Sequence, residues 1–496
     1  MKRIIVIGSG VAGLGAALKV RRAAAEGHDV DVLVIERDDR VGGKIAGETV
    51  ATEYGDFLVD GGPDCFVTMK PAVMRIAKLT GIAGDKLPSD ESRKKTLILK
   101  KGRLYAMPDG VMQFAPTKFW PFATTGLFSW PGKLRAGMDL FVPKKRVPEG
   151  ELNDETLGHF IRRRMGNEIL DRLAEPLVGG VHGSDPDMMS LAATFPNLLE
   201  MEQKYGTMIR GFLAQRRAAE EMRRKYPPDP KNPRTFFTSF TGGMHELTTA
   251  MADAVGRERM RLGTEVASLT RTGGGWSVAL SDGTVEDADA VIVATEGWAA
   301  EPLMRPLDAQ IADALAEIPA STSATVSIGF RATDIDIDLN AFGVLCPQVE
   351  NVALLAATYS STKWPGRAPE GCVLFRGFAG GPRNQKVVEG SPEEITDVVL
   401  GQLRTILKLG TKAEPIFTRA YKWHLGMPQY TTGHLGRVEL IERRAAETPG
   451  LALAGGSYRG VGIPNCIESG EAATSKVLGE WGISLAEDAV EEKRSY

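Results

Sequence analysis

A continuous apolar run opens the chain, and similar runs recur much later. Ile4–Ile7 is entirely β-branched, and Val30–Ile35 and Ala290–Ala294 are nearly as apolar. Short runs without regular polar alternation are typical of parallel strands that are buried on both faces. Between the first two runs, the alanine-rich segment Leu14–Ala25 predicts a helix. The order strand, helix, strand indicates a parallel α/β unit.

Further elements follow from the same patterns. Trp276–Leu280 and Thr284–Glu286 flank an Asp-Gly turn, which predicts a β-hairpin. Leu451–Ala454 predicts a short apolar strand that runs into two glycines, and a helix is predicted from about Ile467 to Trp481. The charged segment Arg216–Lys225 predicts a helix that faces solvent.

Glycines fill the turn between the first strand and the first helix. Gly8 permits a tight turn, Gly10 lets a pyrophosphate approach the backbone, and Gly13 lets the helix pack closely on the sheet. Glu36, at the end of the second strand, is suited to accept hydrogen bonds from ribose hydroxyls. A glycine pattern alone is weak evidence. Here strand, helix, strand and acid occur in order, which predicts a dinucleotide-binding fold.

Length and composition narrow the possible classes of protein. The 496 residues exceed one ordinary domain, and a net charge of −3 predicts no nucleic-acid partner. The four cysteines form no C-x-x-C pair and the six histidines show no ligand spacing, so neither a disulfide framework nor a metal site is predicted. Met-Lys-Arg leads at once into a strand, and no apolar run is long enough to span a bilayer. We therefore expect a cytoplasmic protein without a signal peptide.

Several segments carry a resemblance to known families. Arg40–Gly43 reads R-x-G-G and resembles the FAD-binding oxidases that include amine oxidases and carotenoid desaturases, which implies FAD rather than NAD. Other segments resemble the oxygen-dependent protoporphyrinogen and coproporphyrinogen oxidases of haem synthesis. They are Asp60–Phe66 with Lys70-Pro71, Glu175–Pro196, Leu425–Leu435, and the stretch GGSYRGVGIPNCIESG that begins at Gly455. Cys65 replaces the usual serine and Ser184 a usual glycine.

This resemblance implies FAD contacts from both ends of the chain. They are Gly8, Gly10, Val11, Ala12, Gly13, Glu36, Arg37, Lys44, Gly61, Gly62, Pro63, Asp64, Val266, Trp423, Val461, Gly462 and Ile463. A helix N-terminus after Gly462 would stabilise the negative charge of reduced flavin. A simple β-to-α turn is the alternative there, and a core position is the alternative for Trp423. Cys466 is a candidate for covalent flavin attachment.

The resemblance also implies a reaction. A porphyrinogen loses six electrons in three hydride-like transfers to flavin, and O₂ reoxidises the flavin each time to give H₂O₂. Lys70 and Lys95 lie where family members place cations near propionates, although Lys95 belongs to a basic run that fits a solvated face equally well. Which porphyrinogen is the substrate stays open.

Other residues align with the family's substrate cavity. Leu345, Thr358 and Phe378 align with positions that sandwich the macrocycle, with plain sheet core as the alternative. Gly180 is the predicted catalytic position, because the family presents a backbone carbonyl there to pyrrole N–H groups. His182 is an alternative general base.

The predicted fold class is α/β, with a Rossmann-type FAD-binding domain and an α+β substrate domain that has a mixed sheet and a helical insertion. The FAD-binding domain takes residues 1–85, 235–300 and 435–496. Residues 86–234 form the helical insertion, and residues 301–434 form a β-rich substrate-binding domain.

The predicted partners beyond the porphyrinogen and O₂ are the next haem-pathway enzyme, a second copy of the chain, or a membrane surface. Met112–Lys145 interleaves aromatic and basic residues, which suits peripheral contact with the inner face of a membrane; a product exit surface or ordinary core is the alternative. Ala486–Tyr496 predicts a polar tail. The alternative functions are a flavin amine oxidase and a binding protein of the Rab-escort type.

Overall fold

The fold was analysed in a computed structural model, which describes residues 1–112, 114–146, 153–225, 235–410 and 412–485. The polar tail predicted at 486–496 lies outside the described residues. The strands are β1 (Lys2–Ile7), β2 (Val30–Ile35), β3 (Gly47–Thr52), β4 (Gly55–Asp60), β5 (Phe66–Val67), β6 (Lys86–Pro88), β7 (Thr96–Lys100), β8 (Arg103–Ala106), β9 (Val111–Met112), β10 (Ala115–Pro116), β11 (Phe237–Phe240), β12 (Met260–Arg261), β13 (Val266–Arg271), β14 (Trp276–Leu280), β15 (Val285–Ala288), β16 (Ala290–Val293), β17 (Ala320–Arg331), β18 (Gly343–Leu345), β19 (Leu354–Tyr359), β20 (Cys372–Gly380), β21 (Phe417–Pro428) and β22 (Leu451–Leu453). The helices are α1 (Val11–Ala25), α2 (Ala72–Leu79), α3 (Phe119–Thr124), α4 (Trp130–Gly137), α5 (Leu157–Met165), α6 (Asn167–Ile169), α7 (Glu175–His182), α8 (Leu191–Thr194), α9 (Pro196–Tyr205), α10 (Met208–Lys225), α11 (His245–Val255), α12 (Gly297–Met304), α13 (Ala309–Ala316), α14 (Ser360–Lys363), α15 (Pro392–Leu407), α16 (His434–Ala446) and α17 (Ile463–Glu480).

The predicted α/β fold is confirmed, and so are most of the predicted elements. β2 has the predicted bounds, and β14 and β15 form the predicted hairpin. α17 begins at Ile463, earlier than the predicted Ile467. It does so because Pro464 lies in the first turn, where a missing N–H costs no helical hydrogen bond.

A five-stranded parallel sheet explains the apolar run at the start of the chain. Its order is β12-β2-β1-β16-β22, and all neighbours are parallel. Ile4 and Val6 pack into a core that contains α1, α2, α11 and α17. Ile5 and Ile7 pack on the opposite face, against β13–β15, α12, α13 and α16. Both faces of the sheet are covered, so every position of the run is apolar.

A second, seven-stranded sheet has the order β21-β17-β20-β19-β18-β7-β8. All of its pairs are antiparallel except β18 with β7. One face packs on α15, where a Cβ on Gly377 would lie 2.5 Å from Val399. The opposite face carries polar and partly exposed side chains and lies toward the segment after β4. The stretch 86–234, predicted as a helical insertion, also contributes β7 and β8 to the edge of this sheet.

Helices α3–α10 form a separate apolar core around a buried ion-pair network. Arg164 is fully buried, with its Nε 2.8 Å from Asp139 and its Nη1 3.5 Å from Glu202. Its guanidinium also donates to the carbonyl groups of Val142 and Gly206. Burial lowers the pKa of Arg164 and raises that of Asp139. The network therefore holds α5 against α9 and the segment Met138–Phe141 with charges that have no access to water.

We expect Arg164→Met to destabilise the protein strongly, because it leaves Asp139 and Glu202 buried beside each other without their central cation. The expected loss is about 3–5 kcal/mol in the free energy of unfolding. Arg162→Met, on the same helix, is the matched control. Arg162 pairs with Asp187 at the surface, where losing an ion pair costs less than about 1 kcal/mol. Urea unfolding followed by tryptophan fluorescence measures both, and equal losses would contradict the assignment.

Candidate active site

The carboxyl ends of the parallel strands meet at one edge of the five-stranded sheet. Gly8 follows β1 and donates to the carbonyl of Ile35 at the end of β2. Ala294, after β16, donates to Ile7, and Ala454, after β22, donates to Val293. In open parallel sheets this edge is the usual place for a nucleotide ligand. The predicted cofactor contacts are distributed around it.

The glycine loop at this edge has the turn at Gly8 and the close helix contact at Gly13 that the sequence predicted. Gly8 has φ +100°, which side chains rarely adopt. A Cβ on Gly13 would lie 1.9 Å from the carbonyl oxygen of Gly8, so α1 packs directly on the loop. A Cβ on Gly10, by contrast, would meet no protein atom within 4 Å. The N-terminus of α1, which starts with Val11 and Ala12, has no side-chain cap. A helix end that is open in this way suits a phosphate group.

Glu36 lies beside the glycine loop. Its carboxylate accepts hydrogen bonds from the backbone N–H and the hydroxyl of Ser9, at 2.7 and 2.8 Å. The carbonyl of Glu36 accepts from the N–H of Thr264, which places the segment leading to the buried Val266 at the same edge. Arg37 points toward solvent, 3.6 Å from Asp38. The structure therefore brings Glu36 and Val266 together and leaves the Arg37 side chain outside.

The segment Gly61–Asp64 lies on the polar face of the seven-stranded sheet. The carbonyl of Gly61 accepts hydrogen bonds from the Thr325 hydroxyl at 2.6 Å and the Trp423 indole at 3.0 Å. The carbonyl of Gly62 accepts from Arg376 at 2.9 Å. Trp423 thus contacts Gly61, another of the predicted FAD contacts. The following Pro63 is partly exposed.

Asp64 holds this segment in place through buried contacts. Its carboxylate accepts a hydrogen bond from the Trp364 indole at 3.0 Å and lies 3.4 Å from the Lys363 ammonium. Burial opposes ionisation of Asp64, yet Lys363 and Arg376 hold the pKa of this carboxyl well below its usual range. The Asp64 carboxylate therefore binds groups of the protein itself, and these contacts fix the conformation of the Gly61–Asp64 loop.

The turn before α17 is the third part of the site. Gly462 is the N-cap of the helix, with no side-chain cap, and lies between Val461 and Ile463. The Lys70 ammonium reaches this helix end and donates to the Asn465 side chain at 2.7 Å. Because Asn465 is neutral, this contact is a hydrogen bond and not an ion pair. The structure thus places a predicted propionate partner beside a predicted flavin contact.

Two more predicted residues meet near this turn. The Lys44 ammonium lies 2.6 Å from the Glu296 carboxylate and donates to the carbonyl of Gly426 at 2.6 Å. Cys466, in the first turn of α17, has its thiol pKa raised to about 11 by burial. A thiol that stays protonated at neutral pH is a poor nucleophile, which disfavours covalent flavin attachment through Cys466.

Three predicted substrate positions share the polar face of the second sheet. Leu345, Ala356 and Phe378 are paired in register across β18, β19 and β20. Thr358 lies two residues beyond Ala356 and so faces the same way. A Cβ on Gly180 would lie 3.1 Å from Leu345, so the last turn of α7 closes on this row. The catalytic role of Gly180 stays a prediction.

Other predicted residues are not brought to this face. Lys95 is exposed and precedes β7 in line with Leu97 and Leu99, which pack toward α15 on the opposite side of the sheet. The His182 side chain lies outside what the structure describes. Sequence reasoning missed Arg376, which donates to the Gly62 carbonyl, and Tyr430, whose hydroxyl forms hydrogen bonds with Gly456 and Gly460. Arg376 offered a signal, because it is a charge within the otherwise apolar strand β20.

Comparisons with known proteins agree with this geometry. Residues 11–478 match the family described as flavin containing amine oxidoreductase. The coproporphyrinogen III oxidase of Bacillus subtilis is 32% identical over 96% of this chain and 98% of its own. That of Propionibacterium freudenreichii is 33% identical over 96% and 90%. The chloroplastic protoporphyrinogen oxidase of Oryza sativa is 30% identical over 95% and 87%.

Solved structures show the same fold. A proposed protoporphyrinogen oxidase from Exiguobacterium sp. superposes with a TM-score of 0.82 at 27% identity, over 97% of this chain and 99% of its own. Cyclohexylamine oxidase from Brevibacterium oxydans superposes with a TM-score of 0.68 at 18% identity, over 97% and 100%, and shows the fold alone. The resemblance and the flavin expected from the sequence motifs are thereby confirmed. The chain belongs to the flavin-containing amine oxidoreductase family.

Proposed function

We propose that this protein oxidises a porphyrinogen to the porphyrin in haem biosynthesis, with coproporphyrinogen III as the substrate. The observation that carries the proposal is the meeting of Gly180, Leu345 and Phe378 on the sheet face that also holds the Gly61–Gly62 segment. Partly exposed apolar side chains beside a flavin loop suit a flat macrocycle. FAD, when bound, would supply the hydride acceptor for the substrate and the route for its electrons to O₂.

The proposed FAD contacts are those predicted from the sequence, with roles sharpened by their positions. The N-terminus of α1 and Gly10 would hold the pyrophosphate, Glu36 the ribose, and Val266 the adenine. The N-terminus of α17 after Gly462 would serve the flavin ring. We keep the predicted division into domains as part of this proposal, with 1–85, 235–300 and 435–496 as the FAD-binding part.

Gly10→Ala tests the pyrophosphate contact. Its φ of −62° suits alanine and a Cβ meets no protein atom, so the apoprotein is expected to unfold at the wild-type temperature. The added methyl group would lie where the FAD pyrophosphate is proposed to contact the backbone of residue 10. FAD affinity should therefore fall by at least about tenfold, or 1.4 kcal/mol. Gly479→Ala, also in open space, is the control and should bind FAD normally. Titration of both apoproteins with FAD decides this, and unchanged affinity in Gly10→Ala would remove Gly10 from the site.

The number of propionates on each porphyrinogen favours coproporphyrinogen III as the substrate. Coproporphyrinogen carries four propionates and protoporphyrinogen two, so the former gains more from cations near the cavity. Lys70 is such a cation, and its partner Asn465 does not neutralise it. The relatives in Bacillus subtilis and Propionibacterium freudenreichii bear the coproporphyrinogen name.

The substrate assignment is tested by mixing the enzyme with each porphyrinogen in air and following porphyrin fluorescence. We expect a higher kcat/KM with coproporphyrinogen III. Lys70→Met should raise KM about tenfold through the lost charge-assisted hydrogen bond, with kcat nearly unchanged. Lys95→Met should behave as wild type, because Lys95 lies on the other side of the sheet. No fluorescence from either porphyrinogen would overturn the proposed function, and no effect of Lys70→Met would overturn only the role of Lys70.

A flavin amine oxidase is the alternative from the same family. An amine oxidase is expected to surround its substrate with an aromatic cage. Tyr421 and Trp423 resemble part of such a cage, because their rings are nearly parallel with centroids 6.3 Å apart. Both rings are tied to the protein, however. Tyr421 donates to Glu48 at 2.5 Å and Trp423 to the Gly61 carbonyl. The pair therefore supports the loop, which favours the porphyrinogen assignment.

We also propose that the surface from Phe119 to Phe141 contacts a membrane. Five of its large side chains are 68–83% exposed: Phe119, Trp120, Trp130, Leu134 and Phe141. Lys118 is exposed next to them and suits an anionic headgroup, whereas Lys133 and Arg135 donate to backbone carbonyls of the protein. No helix within the described ranges is long and apolar enough to cross a bilayer, so the contact would be peripheral. Transfer of the product to the next enzyme of the pathway would take place at that surface.

The membrane proposal is tested by sedimentation with phosphatidylcholine vesicles that contain phosphatidylglycerol. We expect wild type to sediment with them and the triple variant Phe119→Ser, Trp120→Ser, Phe141→Ser to stay in solution. Met222→Ser is the control, because Met222 is 56% exposed outside this surface. If instead wild type is a dimer in solution that the triple variant splits, the surface joins two copies of the chain and the membrane proposal is wrong.

A further inference from the structure

One hydroxyl group closes the glycine turn that leads into α17. The Tyr430 hydroxyl donates to the carbonyl of Gly456 at 2.6 Å. The same oxygen accepts a hydrogen bond from the N–H of Gly460 at 2.7 Å. Tyr430 thus links the two ends of the segment Gly456–Gly460, and the helix begins shortly after it. Gly460 has φ +138°, a backbone conformation that residues with side chains rarely adopt.

His434 supports the Tyr430 ring. The two rings are stacked with centroids 3.9 Å apart and planes 14° from parallel. The Nε2 atom of His434 lies 2.7 Å from the carbonyl oxygen of Tyr458, in the middle of the same turn. A carbonyl only accepts, so Nε2 carries the proton and donates. Burial lowers the pKa of His434, which agrees with this neutral ring.

Tyr458 provides a contrast within the same few residues. Its side chain is buried like that of Tyr430, but its hydroxyl has no hydrogen-bond partner among the described residues. One buried tyrosine therefore braces the turn through its hydroxyl, while the other fills space with its ring. Comparing Tyr430 with Tyr458 therefore separates the effect of a hydroxyl bonded to the turn from that of a buried tyrosine ring.

We propose that Tyr430, held by His434, is a positioning residue for the flavin: it fixes the Gly456–Gly460 turn and so the N-terminus of α17. The inference rests on the proposed contact between that helix end and the flavin ring. An uncapped helix N-terminus stabilises negative charge only within its first turn, so its placement sets how well it favours reduced flavin. A looser turn weakens both FAD binding and the stabilisation of the reduced state.

Tyr430→Phe is the primary test, because it removes the hydroxyl and keeps the stacked ring. FAD binding is expected to weaken about tenfold, and the flavin midpoint potential is expected to become more negative. Tyr458→Phe is the matched control and should leave both quantities at wild-type values. His434→Gln is a second variant, whose amide can still donate to the Tyr458 carbonyl but which lacks the stacked ring. We expect it to shift the flavin midpoint potential in the same direction as Tyr430→Phe.

A purely structural role gives a different result. If Tyr430 only stabilises the fold, Tyr430→Phe lowers the unfolding temperatures of apoprotein and holoprotein equally and leaves the potential unchanged, which would overturn the inference. We expect the holoprotein to lose more than the apoprotein. None of these measurements uses a porphyrinogen. A wild type that oxidises neither porphyrinogen while Tyr430→Phe shifts the potential would overturn the proposed function and leave this inference standing.

Discussion

The cofactor region depends on helix contacts that leave no room for a side chain. A Cβ on Gly13 would lie 1.9 Å from the carbonyl oxygen of Gly8, and one on Gly470 would lie 1.9 Å from that of Ala12. These contacts let α1 pack on both the glycine loop and α17. Because the two helices are fixed to each other, their uncapped N-termini are fixed too, and each end can serve a different part of one cofactor. Larger residues at Gly13 or Gly470 would displace the N-termini of both α1 and α17.

Buried charges connect this helical frame to the second sheet. Arg367 pairs with Asp60 at 3.1 Å, and Arg376 donates to the carbonyl groups of Asp60 and Gly62. Burial of such charges is costly, and apolar residues of similar volume often stabilise a core as well. Guanidinium groups do something that apolar residues do not: here Arg376 donates hydrogen bonds to backbone carbonyls at the end of β4 and in the loop that follows it. The loop at Gly61–Asp64 is thereby held in one conformation against the sheet.

The two sheet faces have separate tasks, and the substrate proposal follows from this separation. The face that packs on α15 is apolar throughout its core. The face toward Gly61 carries Thr325, Arg376 and Trp423, which hold the loop Gly61–Asp64 or support its neighbours. Phe378 pairs directly with Thr325 on this face, and Leu345 lies two strands from Phe378. Partly exposed apolar side chains beside polar ones suit a ligand with a flat apolar body and charged edges, such as a porphyrinogen.

The sequence by itself determined the elements whose causes are local. The apolar run at Ile4–Ile7, the glycine spacing and the acid at Glu36 predicted a dinucleotide fold, because strand burial and turn geometry depend on neighbouring residues. Only the tertiary structure decided which distant residues support the site. Arg376 and Tyr430 hold glycine segments that are remote in sequence, and Lys95 lies on the opposite side of the sheet from Leu345 although it follows a family pattern. Contacts of this kind arise from how strands pair and which face each residue takes, and no local pattern encodes them.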